Sequence, residues 1–544
     1  MTDEQRAATT ATDFADGRWH RLHPATPLFR GGLAVLIVGG ILVGNLRERI
    51  IELFVGRGGP GDRFGDPLDY LVRENLILAA LGLATLVVVV AVVGFWLSWR
   101  LHTFRITDEV VEVRSGILFR THRKGRLDRI QGITTARPVV PRLFGAAKLE
   151  ITVAGNDANV PLSYLRSADA DALRRDILAL ASGARRSAIA PESESVSASR
   201  SAAPGVGALL EDRAREFLAP ELDPALADPQ SVVRLHPGRL IGSTVLSETF
   251  IALVAAAGLT IAVARRGDLL LLFAFAPAVL GLGGYLVSRV TRSLRYSIAA
   301  TADGVRVGFG LLSTSNETLP PGRIHSVRVS QPLLWRPFGW WQIAVNRASR
   351  SSQQGAAGQQ QTTILPVGNL DEVRTVLRLL LPEVATDDAL PVLERGLLST
   401  GGDDGYVNSP RRARVLRWFS QPRNGFAVVD AAVLLRRGAI WRSLTIVPFA
   451  RMQSVGVTQG PLLRSLRLAA VHVHTVSGPI TPSLGAVDRD AAMRLFDVVA
   501  AAAIRTARVD TSHRWRAAPV GAAPVVGAPA APAPAAPGTA GALA

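Results

Sequence analysis

A short stretch of sequence occurs three times along the chain and limits the possible folds more than any other feature. The copies read Arg-Ile-Gln-Gly-Ile from Arg129, Arg-Ile-His-Ser-Val from Arg323 and Arg-Met-Gln-Ser-Val from Arg451. Each has a glycine thirteen residues before its arginine and a second arginine thirteen residues after it. Such fixed spacing indicates one small domain used three times. The glycines and second arginines are Gly116 and Arg142, Gly310 and Arg336, and Gly438 and Arg464.

Each copy is predicted to fold as several strands followed by one helix. Before each glycine, an extended run broken by turn residues indicates a hairpin, and another extended run follows the second arginine. The predicted closing helices span residues 167–181, 369–381 and 488–504. Ser167 and Asn369 are good N-caps, and acidic residues occupy each first turn. The pattern is typical of a compact α+β unit of ordinary domain size.

The composition of the 544-residue chain limits the chemistry that it can perform. The chain has no cysteine, which excludes disulfides, thiol catalysis, zinc–thiolate sites and iron–sulfur clusters. Its formal net charge is +17, and almost all of its positive residues are arginine. Strong basicity leaves two classes of partner open, anionic lipid and nucleic acid.

Four apolar runs predict two helical hairpins that span a membrane. The runs cover residues 27–44, 76–99, 241–264 and 269–290, and the first is barely long enough to cross. Arginines flank the outer ends of the second pair, which places those ends in the cytoplasm by the positive-inside rule. With four spans, all three units and both termini lie on the cytoplasmic side of the inner cell membrane.

These features divide the chain into nine segments. Two linkers separate the units, and the Ala/Pro-rich C-terminal tail is low-complexity sequence that cannot pack a core, so we expect it to be disordered. The segments are an N-terminal tail (1–26), hairpin 1 (27–99), unit 1 (100–182), a linker (183–233), hairpin 2 (234–290), unit 2 (291–384), a linker (385–410), unit 3 (411–506) and the tail (507–544).

The two arginines of each repeat allow two interpretations. They could form a basic rim that contacts lipid phosphates or acidic residues of a partner. Alternatively, the first arginine could hold a strand end or a turn through hydrogen bonds to backbone carbonyls. Repetition at fixed spacing is what a fold requires, so it favours the structural interpretation.

Aromatic residues surround Arg336 in the second repeat, which reads Leu-Leu-Trp-Arg-Pro-Phe-Gly-Trp-Trp from Leu333. Tryptophan is favoured at the membrane interface, so this segment could dip into a bilayer. The rings could equally pack in the core. Trp340 and Trp341 are adjacent, and neighbouring side chains on a strand face opposite sides. We therefore expect one of the two rings to be exposed or covered by another domain.

The third unit begins with the densest positive charge in the chain. Between residues 411 and 442, eight arginines accompany a single acid, Asp430. This unit lacks a hairpin of its own, which favours contact with an anionic lipid surface over a merely solvated face. Such a contact contributes about 1 kcal/mol per residue. The arginines are Arg411, Arg412, Arg414, Arg417, Arg423, Arg436, Arg437 and Arg442.

Few other residues suggest chemistry. Glu248 lies inside the third apolar run, where an acid is a candidate functional residue, although a place near the helix end or beside an arginine is the favoured alternative. His472 and His474 share a strand face, but a metal site needs a third ligand and none follows nearby. No motif or carboxylate pair indicates catalysis, so we expect no enzymatic activity, cofactor or metal.

The repeated text carries a family resemblance. It combines the hairpin glycine, the Arg-Ile-Gln-Ser-Val-like stretch, a proline, the second arginine and, in two copies, a Phe-Gly pair beginning at Phe144 and Phe338. The third copy has Leu466 followed by Arg467 instead. This text resembles the bacterial pleckstrin-homology-like (PH-like) domain of membrane-anchored proteins of the YdbS/YdbT type. The resemblance covers nearly all of residues 21–504 outside the linkers.

The resemblance implies a fold more than a chemistry. It implies three PH-like domains, each a bent, roughly seven-stranded antiparallel sheet capped by a C-terminal helix. It also implies homo-oligomers and, for some members, roles in envelope stress and resistance to antimicrobial peptides. It supplies no headgroup site that can be placed on this chain.

Together these arguments predict a non-enzymatic, membrane-anchored scaffold. Its cytoplasmic units would contact anionic membrane lipid, further copies of the chain or a membrane partner. A transport accessory protein or transporter that uses the helix bundle is the second hypothesis, and a nucleic-acid binder, suggested by charge alone, is not expected. The candidate contact residues are Arg129, Arg142, Arg323, Arg336, Trp340, Trp341, Arg411, Arg412, Arg414, Arg451 and Arg464.

Overall fold

The structure, a computed structural model, shows three modules of antiparallel strands and helices that follow one another along the chain. Most of hairpin 1, the first linker and the C-terminal tail lie outside the residues that it describes. The described residues are 16–22, 96–116, 120–154, 159–181, 233–267, 269–301, 304–311, 313–320, 322–348, 362–402 and 404–509, with single positions at 14, at 26 and between 82 and 94.

Module 1 contains seven strands, a short helix and a closing helix. Two of its strands, Thr103–Ile106 and Ala146–Val153, alternate between buried and half-buried positions, as strands with one face on a core do. In chain order the elements are β1 (His20–Arg21), β2 (Thr103–Ile106), β3 (Val110–Ser115), β4 (Thr121–Arg126), β5 (Ile130–Arg137), α1 (Val139–Leu143), β6 (Ala146–Val153), β7 (Val160–Arg166) and α2 (Ser167–Ala181).

Module 2 repeats this order, with three further helices inserted after its first strand. A 3-10 helix, Leu333–Phe338, stands where module 1 has α1. The elements are β8 (Val233–Arg234), α3 (Pro237–Val245), α4 (Glu248–Arg265), α5 (Leu269–Ser293), β9 (Ser297–Thr301), β10 (Gly304–Phe309), β11 (Thr314–Leu319), β12 (Ile324–Gln331), β13 (Trp341–Arg347), β14 (Thr363–Gly368) and α6 (Leu370–Leu380).

Module 3 has the same seven strands and follows one additional helix. Its elements are α7 (Leu390–Leu398), β15 (Val407–Asn408), β16 (Gly425–Val429), β17 (Ala432–Arg437), β18 (Arg442–Pro448), β19 (Ser454–Thr458), α8 (Pro461–Ser465), β20 (Leu468–His474), β21 (Ser483–Asp488) and α9 (Arg489–Val509).

The helix that closes each module follows from its sequence. Asn369 caps α6 by accepting from the backbone of Glu372, whose carboxylate accepts in return from the backbone of Asn369. The apolar face of α6 is buried through Val373, Val376 and Leu377. The corresponding faces of α2 and α9 are buried in the same way, so the three predicted closing helices are present.

The repeated glycine is required by the turn between the third and fourth strands of each module. Gly116, Gly310 and Gly438 all have positive φ, between 82° and 108°. A β-carbon at Gly310 would lie 2.0 Å from the carbonyl oxygen of Ser313, and one at Gly438 would lie 1.8 Å from that of Trp441. Only glycine fits such a turn without moving the backbone.

The strands pair differently from the expectation of one seven-stranded sheet per unit. Each module has a four-stranded sheet followed by a three-stranded sheet, and sheets of neighbouring modules join edge to edge. The three-stranded sheet of module 1 continues through β5 into β11 of module 2, and that of module 2 continues through β12 into β18 of module 3. The two seven-stranded sheets therefore each belong to two modules.

The segment expected to be the second linker, residues 385–410, contains α7. Leu393 and Leu397 of this helix are 1% exposed and belong to the apolar core that modules 2 and 3 share. This segment therefore helps to hold two modules together.

The α+β class is confirmed, whereas the four expected membrane spans are not shown. Among the described residues one helix, α4, is long and apolar enough to cross a membrane. Helix α5 packs along α4 after a turn at Arg266 and Gly267. Hairpin 1 falls mostly outside the described residues.

Candidate functional site

The contact between modules 1 and 2, called joint 1 here, is an antiparallel pairing of β5 with β11. Five residues of each strand take part, from Ile133 opposite Thr318 to Arg137 opposite Thr314. The side chain of Arg174 on α2 adds a hydrogen bond to the hydroxyl of Thr318, at 3.0 Å.

The contact between modules 2 and 3, joint 2, has the same register. Its pairs run from Val327 opposite Ile446 to Gln331 opposite Arg442. In both joints, the residue four places after the first arginine of one module pairs with the residue eight places after the hairpin glycine of the next. The repeat therefore encodes the contact between modules as well as the module itself.

The first arginine of the second repeat lies at joint 1. Arg323 donates from Nη2 to the backbone carbonyl of Asp128 in module 1, at 2.9 Å. Two residues later, Nδ1 of His325 lies 3.4 Å from the carbonyl oxygen of Arg451 in module 3. The repeated stretch therefore contacts both neighbouring modules. Arg129 of the first repeat is exposed.

The second arginines occupy three different environments. Arg142 is 4% exposed. Arg336 donates to the backbone carbonyls of Ala439 and Ile440 in the hairpin tip of module 3, the latter at 2.7 Å. Arg464 is exposed, and no hydrogen bond of its guanidinium to another described residue is observed. Burial, and then the charge of Arg442, lower the pKa of Arg336 from its usual value.

The adjacent tryptophans separate as strand geometry predicts. Trp341 is 2% exposed and belongs to the core of module 2. Trp340 is half-buried, stacks on Phe338 at 4.7 Å between ring centroids, and covers Gly242 of α3. Its indole is therefore covered by the helix that leads to α4.

Glu248 lies at an end of the apolar helix and not at its middle. It is the first residue of α4, directly after the N-cap Ser247. Its Oε1 accepts a hydrogen bond of 2.6 Å from Nε1 of Trp441, in the hairpin tip of module 3. The corresponding tip of module 2 lies at the last turn of α5, because Leu311 donates its N–H to the carbonyl of Thr291 at 3.2 Å. Both tips thus meet the ends of the helix pair.

Four arginines line a cleft on one face of joint 2. They are Arg328 of β12, Arg417, Arg437 at the end of β17 and Arg442 at the start of β18, and Trp441 lines the same cleft. No acidic residue is among the described residues that line it. Burial lowers the pKa of Arg437, with a further contribution from Arg417, and that of Arg328, with a further contribution from Arg437. We call this the arginine cleft.

The arginine-rich start of unit 3 is divided between the surface and the interior. Arg411 and Arg414 are exposed, as are the apolar side chains of Val415, Trp418 and Phe419, at 79%, 72% and 63%. Residues 411–419 thus form a mostly exposed basic and aromatic segment, which is anchored by the fully buried side chain of Ala413. Arg412 within it pairs with Asp488 and donates to the carbonyl of Leu466.

Two arginines of that set differ from the expected surface role because they are buried. Arg423 is 2% exposed and donates to five backbone carbonyls, and burial together with neighbouring positive charge lowers its pKa to about 9. Arg436 is 0% exposed and pairs with Asp404. Neither can contact lipid. The partners of Arg423 are backbone carbonyls, and Asp404, the partner of Arg436, is 32 residues away in the chain, so the charge pattern does not distinguish these two arginines from their neighbours.

His472 and His474 stack at 6.3 Å, and among the described residues no group of three or more His, Asp or Glu is placed to hold a metal ion. Three of the cleft arginines belong to the arginine-rich set predicted to contact lipid, but the cleft itself could not be predicted, because its members come from three strands and a loop. The four are brought together only when β12 pairs with β18.

Comparison with known proteins adds a family assignment. A sequence model described as "Bacterial PH domain" matches residues 69–181, 245–384 and 411–503, which is more than half of the chain. No curated protein and no solved structure matches the chain.

Proposed function

Because the chain belongs to the bacterial PH domain family, we propose that it is a non-enzymatic, membrane-anchored interaction protein. In this proposal the arginine cleft of joint 2 binds the phosphate group of an anionic lipid. The observation that carries the proposal is the combination of four arginines with no acid in one cleft, beside a tryptophan bonded to the start of α4.

The chemistry of the cleft favours an anionic ligand. Burial is the main cause that lowers the pKa of Arg328 and of Arg437, and no acidic residue among the described residues of the cleft offsets it. A phosphate would supply the missing negative charge and accept several guanidinium hydrogen bonds at once. Ser330 and Ser443, which also line the cleft, can donate hydroxyl hydrogen bonds to the same group.

The surroundings of the cleft support a lipid as the source of that phosphate. Trp441 is 58% exposed at the cleft and bonds to the first residue of α4, the candidate membrane span. Ile440 and Phe338 beside it are also exposed, and tryptophan and phenylalanine at this level are typical of a membrane interface. The exposed segment 411–419 adds arginines and two aromatic rings, a composition typical of segments that bind anionic membrane surfaces.

The orientation follows from the same charges. Arg289, Arg292 and Arg295 follow the apolar part of α5, and an excess of arginine near span ends is found on the cytoplasmic side. The proposal therefore includes a multi-pass inner-membrane protein with cytoplasmic modules. A role in envelope stress or antimicrobial-peptide resistance would follow from competition for the anionic lipids that cationic peptides also bind.

The test compares two variants of equal net charge, one that loses three arginines of the cleft and one that loses three arginines elsewhere. The triple variant Arg328→Gln, Arg437→Gln, Arg442→Gln is compared with Arg494→Gln, Arg505→Gln, Arg508→Gln, which removes three exposed arginines from α9. Full-length protein in nanodiscs that contain phosphatidylglycerol and phosphatidylcholine is released into a mass spectrometer, and retained lipid is counted. At about 1 kcal/mol per arginine, the cleft variant should retain phosphatidylglycerol about a hundredfold less tightly.

The control variant should retain phosphatidylglycerol as the unchanged protein does. Equal retention by the cleft variant and the control contradicts the proposal. If inorganic phosphate binds to the unchanged protein while phosphatidylglycerol does not, the cleft is a site for a soluble anion and the lipid assignment is wrong.

A further inference from the structure

In the described part of the chain, one strand at each end of the row of modules lacks the partner strand that its counterparts have in joints 1 and 2. We infer that copies of the chain join head to tail, with β19 of one copy adding to the outer edge of β4 of the next. The inference rests on strand pairing and remains valid whether or not the arginine cleft binds lipid.

The first argument is that the same joint occurs twice inside the chain. In joints 1 and 2 the first strand of a three-stranded sheet pairs with the last strand of the next four-stranded sheet, in one register. Among the described residues, no module follows module 3 and none precedes module 1. The strands left over are therefore β19 at one end and β4 at the other, the two complementary parts of one further joint.

The second argument is that both leftover strands are exposed edges. β4 is the last strand of its four-stranded sheet and β19 the first of its three-stranded sheet, and no other described strand pairs with their outer sides. Five of the six residues of β4 are exposed, whereas all of β11 and β18, in the same position, is buried or half-buried. An open edge presents unpaired N–H and C=O groups that can pair with another strand.

The third argument comes from the arginines that serve the internal joints. Arg323 reaches back to the carbonyl of Asp128, and Arg336 reaches forward to the hairpin tip of the following module. Their counterparts at the two ends of the described modules are Arg129 of module 1 and Arg464 of module 3. Both are exposed, and neither side chain is seen to bond with any residue in the described part of the chain.

The register of the internal joints predicts the pairs between copies. The residue four places after Arg451 is Val455, and the residue eight places after Gly116 is Lys124, so these two face each other. The series ends with Thr458 opposite Thr121 and with Gln459 opposite Arg120. Every residue from Val455 to Gln459 is uncharged, so the basic strand β4 meets no like charge directly opposite.

This contact is heterologous, because two different surfaces meet. A heterologous contact generates a ring when its rotation closes and a filament when it does not. Because α4 fixes each chain in one orientation under the proposed function, such an array would lie along the membrane surface. Arg464 of one copy would then face the Gly116 hairpin of the next.

Cysteine crosslinking tests the pairing directly, because the chain contains no cysteine. Full-length chains that carry Thr121→Cys and Thr458→Cys, with different tags, are co-expressed and oxidised in native membranes. Opposite residues of paired strands lie within disulfide range. The internal counterpart Ser330→Cys with Ser443→Cys, in one chain, is the positive control because these residues pair in joint 2.

We expect a disulfide between the two tagged chains and none when either variant is expressed alone. Adding Arg129→Gln and Arg464→Gln should lower the yield of crosslinked product severalfold. Absence of the product while the internal control closes overturns the inference. So does a crosslink between two Thr121→Cys chains, or a crosslink from either cysteine-containing chain to a different protein.

Discussion

Joint 1 and joint 2 share one register but bury different chemistry. Modules 2 and 3 have a common apolar core, in which Val327 and Val329 of β12 pack with Leu444 and Ile446 of β18. Among the described residues, the buried apolar side chains of module 1 form a cluster of their own. Joint 1 is held instead by strand pairing and polar contacts, such as that of Arg174 with Thr318.

The residues at corresponding positions of the two joints explain why joint 2 has an apolar core and joint 1 has polar contacts. Ile446 of joint 2 corresponds to Thr318 of joint 1, and Thr445 corresponds to Glu317, which forms a buried ion pair with Arg347. Arg328, which lines the arginine cleft, corresponds to Thr134 in joint 1. A backbone pairing can thus be repeated while its side chains bury an apolar core in one joint and make polar contacts in the other.

The largest expected effect is on stability, because a substitution in the apolar core of joint 2 should cost more free energy of unfolding than the matched substitution in joint 1. Ile446→Ala removes a fully buried side chain and should destabilise modules 2 and 3 by about 3 kcal/mol. The matched change at joint 1, Thr318→Ala, removes one hydrogen bond and should cost about 1 kcal/mol. Hydrogen exchange of the reconstituted protein measures both, and exchange in β12 and β18 should rise together only in the first variant. Equal effects of the two variants would mean that the joints do not differ in this way.

A smaller effect concerns pH, because only joint 2 has a histidine at the repeated position. Burial, and to a lesser extent the charges of Arg451 and Arg323, lower the pKa of His325 to about 4, whereas joint 1 has Gln131 there. The unfolded chain therefore binds more protons between pH 6.5 and pH 4, so stability falls as pH falls through this window. The side chain is partly exposed, so we expect a loss of at most about 1 kcal/mol at pH 5.5.

His325→Gln should remove this pH dependence from joint 2 and leave joint 1 unchanged. The measurement is hydrogen exchange of β12 and β5 at pH 7.0 and 5.5, corrected for the intrinsic pH dependence of exchange. A pH response of β12 that persists in the variant would assign the effect to another group.

The smallest expected effect concerns the hairpin tips. Trp441→Phe removes the hydrogen bond to Glu248 but keeps an aromatic ring. Because the indole is more than half exposed, we expect a loss of about 0.5 kcal/mol, seen as faster exchange in the tip of module 3. The tip of module 2 contacts α5 through the backbone of Leu311, so its exchange should not change.

Local features of the fold could be predicted from the sequence. The closing helix α6 follows from its cap and apolar face, and the hairpins follow from turn residues beside glycines that have positive φ. The tetrapeptide Arg-Leu-His-Pro occurs at Arg21 and again at Arg234, and in both places its arginine ends the short first strand of a module, which the sequence does not predict. A two-residue strand is too short to have a recognisable alternation.

Pairing between modules could not be predicted, for a physical reason. The alternation of apolar and polar residues along β12 indicates which side chains are buried. It does not indicate which strand pairs with either edge of β12. The partners of Arg323 and Arg336 are backbone carbonyls, which every residue has. The arginine cleft and the buried state of Arg423 depend on these long-range contacts, so neither could be read from spacing or charge.

The central claim is that strand pairing in the same register connects module 1 to module 2 and module 2 to module 3. Cysteine pairs test this claim most directly. Ala136→Cys with Ser315→Cys tests joint 1, and Ser330→Cys with Ser443→Cys tests joint 2, because each pair is directly opposite in the shared sheets. Both pairs should close within single chains in native membranes, as should the control pair Thr458→Cys with Ala470→Cys inside module 3. Closure of the control while both joint pairs stay reduced would contradict the account.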